Sequence, residues 1–321
     1  MKSVNDVLPE LREIMEGLPV FDLRNPQIPK GVKIPHVDKS PLVKTTKRSI
    51  PGPESELKVK IYEPVNRTND VLPALLWIHG GGYVLGNYEI DDGLCEQFVL
   101  VANCVVVSID YRLAPQYPYP AALEDCYAGL EWMVTQAEEL YIDTSRIAIA
   151  GTSAGGGLTA ALTLLARDKE GPKIAFQMPL CPMIDERNIT PSSYEINKDS
   201  FPKLWNREQN QLAWSMYLGD MSSDKVPPYA APTRSKDLSG LPPAYICVGE
   251  LDLFRDETIE YVNRLAQADI PVEFHLYPGC FHGFEKVFHD TEISRQARNE
   301  YINALARALN LRKVEVSAKD R

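Results

Sequence analysis

Three side chains that together can cleave an activated carbonyl bond occur along the chain in the order Ser153, Asp252, His282. A serine hydroxyl is a weak nucleophile until a base takes its proton. An imidazole is suited to that task near neutral pH, and a carboxylate behind it fixes the ring tautomer. Ser153 lies in Gly151-Thr152-Ser153-Ala154-Gly155, a G-x-S-x-G string whose glycines permit a tight strand-to-helix turn. Upstream, His79-Gly80-Gly81-Gly82 is a run whose backbone can approach a substrate closely. The N–H groups of Gly81 and Gly82, with that of Ala154, are then expected to hold the oxyanion of a tetrahedral intermediate. Loss of one such donor costs roughly 3–4 kcal/mol of transition-state stabilisation. The chemistry these residues suit is acyl transfer through a covalent acyl-serine.

Each residue has a plainer reading. Serine is favoured at helix N-termini, so Ser153 alone could be a cap; its place after the apolar run ending at Ala150 and before an Ala-rich stretch favours the nucleophile. Asp256 and Glu250 compete with Asp252 for the acid, although Asp256 is better placed to open the next helix. Among the histidines, His36 and His289 lie outside any motif, His275 falls within a strand, and His79 is expected to brace the glycine loop. A dinucleotide loop built on Gly80, Gly82 and Gly86, with Asp110 on a ribose, would need a helix opening at the glycines. The stretch 83–92 reads as loop instead. No histidine pair has metal-ligand spacing and the cysteines do not cluster, so no metal is expected.

The elements that must gather these residues alternate. Apolar runs at Leu72–Ile78, Cys104–Ile109, Ile147–Ala150, Ile174–Leu180, Ala244–Val248 and Val272–Tyr277 read as buried parallel strands. Leu42–Ile50 and Leu57–Tyr62 read as an antiparallel start. Helical faces recur at Leu123, Tyr127, Leu130 and Val134, at Ile293, Ala297, Tyr301, Leu305 and Leu309, and through Ala154–Asp168. The order implies an α/β fold, a mostly parallel sheet with helices on both faces. Catalytic groups on loops beyond strand C-termini would then converge at one crevice.

Two segments break the alternation. Residues 1–40 carry an amphipathic face of Leu8, Leu11, Ile14, Met15 and Leu18 before a proline-rich connector. Residues 184–226 are far longer than an ordinary connection and hold Phe201, Trp205, Trp214, Met216 and Tyr217. A helix is expected there from Asn206, with Gln209 as its capping-box partner. Such an aromatic insertion suits a lid over a pocket; a packed decorative insertion is the alternative. The expected division is a catalytic unit at 41–183 and 227–321, with a cap from 1–40 and 184–226. The tail, 314–321, is expected to fray.

Composition is that of a globular chain with ample core: 321 residues, 44% hydrophobic and 24% charged. The net charge of −10 disfavours nucleic acid and anionic lipid as partners. No run reaches the ~20 apolar residues of a membrane span, so no stable membrane insertion is expected. The N-terminus lacks an apolar leader core, and the six cysteines sit scattered, several inside apolar runs. A cytoplasmic location is expected.

In combination, HGGG (79–82), DYRLAP (110–115), GTSAGG (151–156), D-x-x-R-D-E (252–257) and HGF (282–284) resemble the hormone-sensitive-lipase-like carboxylesterases, in the branch with GTSAG. The resemblance spans nearly all of residues 55–310. It implies an eight-stranded α/β-hydrolase sheet with a helical cap, and hydrolysis of a small-molecule carboxylic ester of short to medium acyl chain. It further implies no cofactor and a possible homodimer. By motif, Ser153 is nucleophile, Asp252 the orienting acid and His282 the base, with Gly81, Gly82 and Ala154 as oxyanion donors. Tyr83, Trp205, Trp214, Tyr217 and Phe284 are expected at the substrate pocket. Leu253 stands where proline is common and Gln116 where glutamate is; neither removes a catalytic atom. Amide, formamide or carbamate hydrolysis would use the same triad, and a binding-only relative of the fold is a third reading. The presence of His282 favours an enzyme over receptors that lack this histidine.

Overall fold

Residue 72 opens a seven-residue strand in which every side chain is buried, a pattern that requires cover on both faces of the sheet. The computed structural model describes residues 2–20, 22–24, 40–67, 70–287 and 290–310. His36, His289, most of the proline-rich connector and the tail 314–321 lie outside the described residues. The strands are β1 (Val43–Pro51), β2 (Glu56–Pro64), β3 (Leu72–Ile78), β4 (Val105–Asp110), β5 (Ile142–Thr152), β6 (Phe176–Leu180), β7 (Ala244–Leu251) and β8 (Val272–Phe281). They form one eight-stranded sheet in the order β1-β2-β4-β3-β5-β6-β7-β8. β2 runs antiparallel to both β1 and β4, and the remaining pairs are parallel.

The helices are α1 (Pro9–Gly17), α2 (Asp92–Ala102), α3 (Ala121–Thr135), α4 (Ala137–Leu140), α5 (Ala154–Asp168), α6 (Pro191–Glu195), α7 (Arg207–Leu218), α8 (Arg255–Gln267), α9 (Phe284–Val287) and α10 (Glu292–Asn310). α2 packs on α10 and α3 packs on α5, and each pair lies against the sheet. On α10 the side chains Ala297, Tyr301, Leu305 and Leu309 are buried, the inward stripe that its 3.6-residue period prescribes. All strands but β5 begin within two residues of their apolar runs: β4 starts at Val105 rather than Cys104, β6 at Phe176 rather than Ile174, whereas β5 starts at Ile142, five residues before Ile147. β5, β7 and β8 extend past their apolar stretches, β7 and β8 because pairing resumes at Leu251 and Phe281 after an irregularity.

The two irregular segments meet. In α1 only Leu11 and Met15 are buried, an i,i+4 pair, while Ile14 is 41% exposed, so the inward face is narrower than the apolar pattern suggests. Asn206 caps α7 by accepting from the Gln209 N–H. The Gln209 carboxamide oxygen accepts the backbone N–H of Leu23, which ties the N-terminal segment to α7. At its other end, Leu8 N–H donates to the Gly279 carbonyl, and Lys2 pairs with Glu250. Described residues near the N-terminus thus touch both the insertion, at Gln209, and the ends of β7 and β8, at Glu250 and Gly279.

Candidate active site

Because β3, β5, β7 and β8 are parallel, their C-terminal ends share one edge of the sheet. Gly80, Ser153, Asp252 and His282 all fall at or just beyond those ends. Ser153 occupies the turn between β5 and α5 with φ 58° and ψ −118°, a region that L-residues rarely enter. The surroundings enforce it. The Ser153 N–H donates to Leu180 O, and Ser153 O accepts from both Gly157 and Met183 N–H. A Cβ at Gly151 would stand 2.4 Å from Gly155 O, and one at Gly155 would stand 2.1 Å from Ile78 O. The glycines are therefore required by the closeness of β3, β5 and α5.

His282 Nε2 lies 2.9 Å from Ser153 Oγ, and His282 Nδ1 lies 2.7 Å from Asp252 Oδ2. Asp252 is fully buried, and its Oδ1 accepts the Phe254 N–H, which fixes the carboxylate plane. The Phe254 ring meets the imidazole edge-on, with centroids 5.0 Å apart. Burial opposes charging of His282, but the adjacent Asp252 carboxylate, with Cys181 adding to it, more than offsets burial and holds the imidazole well above its ordinary basicity. A neutral ring with its proton on Nδ1 leaves the Nε2 lone pair for the serine hydroxyl.

The competitors are occupied elsewhere. Asp256 accepts the Ser192 N–H at the start of α6 and pairs with Arg255. Glu250 accepts the Gly279 N–H and pairs with Lys2. His275, on β8, lies between Glu273 of the same strand and Glu300 of α10. His79 stacks on Tyr111 at 4.2 Å, and its Nδ1 donates to Gly80 O. Burial pushes the His79 imidazole down to about 4, so it braces the glycine loop as a neutral ring. No helix opens at Gly80–Gly86; the next one begins at Asp92, which removes the dinucleotide reading.

Gly81 and Gly82 have φ of 127° and 63°. Among the described residues, no protein acceptor takes the N–H of Gly81, Gly82 or Ala154. The five side chains expected at the pocket are placed differently from one another. The Trp205 indole lies against Gly82, where an added Cβ would fall 2.5 Å from Cη2, and its Nε1 donates to Asn210. Tyr83 is buried, stacks on Tyr217 at 3.9 Å, tilts against Trp214 and donates to Met183 O. Phe284 is buried against Tyr277.

Residues 75–286 match the model of the alpha/beta hydrolase fold family. The chain belongs to the α/β-hydrolases. Among its α/β-hydrolase relatives, Esterase LipI of Mycobacterium tuberculosis is 35% identical over 304 residues, covering 94% of this chain and 92% of that one. Carboxylesterase NlhH of the same species is 37% identical over 259 residues, 80% of each chain. The solved structure of a bacterial heroin esterase superposes with a TM-score of 0.87 at 38% identity, covering 95% of this chain and 99% of the other. Together with the triad geometry, this makes the α/β-hydrolase a serine-type carboxylesterase whose triad is Ser153, His282 and Asp252.

One neighbour of the triad was not apparent from the sequence. Cys181, directly after β6, has φ 36° and lies where its Sγ and one ligand atom each of Asp252 and His282 are all within 4.8 Å of one another. Its Sγ is 3.5 Å from Thr152 Oγ1. In the sequence it is one of six scattered cysteines with no motif around it; the left-handed turn after β6 brings it to the imidazole.

Proposed function

We propose that this carboxylesterase is of the hormone-sensitive-lipase-like kind, in the GTSAG branch, and acts on small esters of short to medium acyl chain. His282 takes the Ser153 proton as Oγ attacks the ester carbonyl. The oxyanion settles among the N–H groups of Gly81, Gly82 and Ala154. The alcohol leaves with the proton from His282, and water then repeats the sequence on the acyl-serine. The freedom of those three N–H groups from protein acceptors supports their role as oxyanion donors.

The observation that carries the chain-length reading is the Trp205 ring lying against Gly82. An acyl group bonded to Ser153 with its oxygen in that cradle has an indole beside it. Tyr83, Trp214 and Tyr217, the other aromatics read as pocket residues, form one cluster, and Phe284 packs on Tyr277. The cap, in this reading, is made from residues 1–40 and 184–226. The Leu23 N–H bond to the Gln209 side chain supports a single cap from the two segments, and the pairing of Arg255 with Glu195 supports its fastening to the catalytic unit. Six buried free thiols fit a reducing compartment such as the cytoplasm. The sequence resemblance supports a homodimer.

The test is a graded series of aryl esters of increasing acyl length. kcat/KM is expected to peak among the short to medium members, and Trp205→Ala is expected to shift that peak toward longer chains. A wild-type preference for long acyl chains, or an unchanged profile in Trp205→Ala, would overturn the reading.

A further inference from the structure

Cys181, His282 and Asp252 put a sulfur, a nitrogen and an oxygen donor into one cluster, each from the end of a different strand. That is the donor set of a three-ligand zinc site with one open position, where Zn–S is about 2.3 Å and Zn–N and Zn–O are roughly 2.0–2.2 Å. We infer that the triad doubles as an inhibitory site for a soft divalent cation of the zinc class, with Cys181 as the residue that creates the affinity.

Four features support the site. Cys181 is held at φ 36°, an unfavourable backbone for a residue with a side chain, and that turn is what aims Sγ at the triad. Thr152 Oγ1 stands 3.5 Å from Sγ, an outer partner of the kind that orients a metal-bound thiolate. Asp252 Oδ1 is fixed by the Phe254 N–H, so Oδ2, the partner of His282 Nδ1, is the oxygen that faces the cation. The His282 side chain is 11% exposed, which leaves an approach from the pocket.

The proton balance explains why the cation inhibits. The thiol gives its proton to solvent and becomes the thiolate ligand. The cation takes the place of the proton shared by His282 Nδ1 and Asp252 Oδ2, and the ring proton moves to Nε2. Asp252 is already a carboxylate and loses nothing. With Nε2 protonated, the imidazole donates to Ser153 Oγ and has no lone pair to receive the serine proton. Net release of one proton makes binding tighter as pH rises.

Binding is measured on Ser153→Ala and Ser153→Ala/Cys181→Ala proteins by equilibrium dialysis against Zn²⁺. Neither protein turns over substrate, so the result is independent of the ester reading. The first should hold one more Zn²⁺ per chain than the second. Co²⁺ should give the first a thiolate-to-metal charge-transfer absorption that the second lacks. In proteins with Ser153 intact, Cys181→Ala should raise the half-inhibiting Zn²⁺ concentration at least ten-fold. Fluorophosphonate labelling of Ser153 serves as the check on folding, and Cys181→Ser replaces Cys181→Ala throughout if the latter fails it. Equal inhibition with and without the thiol, equal Zn²⁺ stoichiometry, or bound Co²⁺ with no thiolate band would each overturn the inference.

Discussion

The proton between His282 Nδ1 and Asp252 Oδ2 decides whether Nε2 can act as a base. An amide at 252 can donate to Nδ1 and so favours the wrong tautomer, with Nε2 protonated and useless to Ser153. Asp252→Asn is expected to lower kcat by about 10⁴, as in a triad of the same arrangement. The pH profile carries a second signature. Because the carboxylate holds the His282 pKa above 6.5, the neutral base is present above the raised value and is lost as pH falls through it. The acid limb of wild-type kcat/KM should therefore have its midpoint above 6.5, and Asp252→Asn should move it lower. An unmoved midpoint would separate that limb from this pair. The triad was legible in the sequence because each member sits in a short motif at the end of an apolar run. Cys181 was not, because its role comes from a backbone dihedral and nothing in its neighbours announces a positive φ.

The turn from β5 into α5 carries the strictest demand at the level of elements. A methyl at Gly155 would meet the Ile78 carbonyl oxygen at 2.1 Å, and that oxygen belongs to a central strand that cannot give way. Overpacking of a core costs typically 1–3 kcal/mol, and a fixed backbone neighbour puts this case at the upper end or beyond. Gly155→Ala is expected to lower Tm by several degrees or more and to abolish fluorophosphonate labelling of Ser153. Wild-type labelling and Tm in that variant would show the turn to be looser than its contacts indicate. The strands of this sheet were readable because burial on both faces makes their apolar runs continuous, as in β3. Their ends were less so, since β8 runs on through Pro278 and Gly279 to Phe281. In the insertion, the Asn206 cap followed from its side chain. What Gln209 holds did not, because Leu23 is far away in sequence.

At the scale of the whole molecule, a second buried carboxyl links the segment after β6 to α8 and sets a pH dependence of its own. Glu257, in the first turn of α8, accepts the Ile184 and Asp185 N–H groups through Oε1. Burial raises its pKa well above 4.5, and nearby Asp185 adds to the rise. In the unfolded chain the same carboxyl ionises near its ordinary value, so above that point the folded state keeps a proton the unfolded state has lost. Stability therefore falls as pH rises from the unfolded pKa toward the raised folded one. Glutamine at this position keeps an acceptor oxygen for both N–H groups and removes the titration. The Tm of Glu257→Gln relative to wild type should accordingly increase between about pH 5 and about pH 8. A Tm difference that stays flat or shrinks over that range would mean that Glu257 ionises in place, with its charge met by the two backbone donors. The segment after β6 would then be pinned by a carboxylate rather than by a neutral acid. Ser153 depends on that segment too, since Met183 N–H donates to Ser153 O beside the nucleophile.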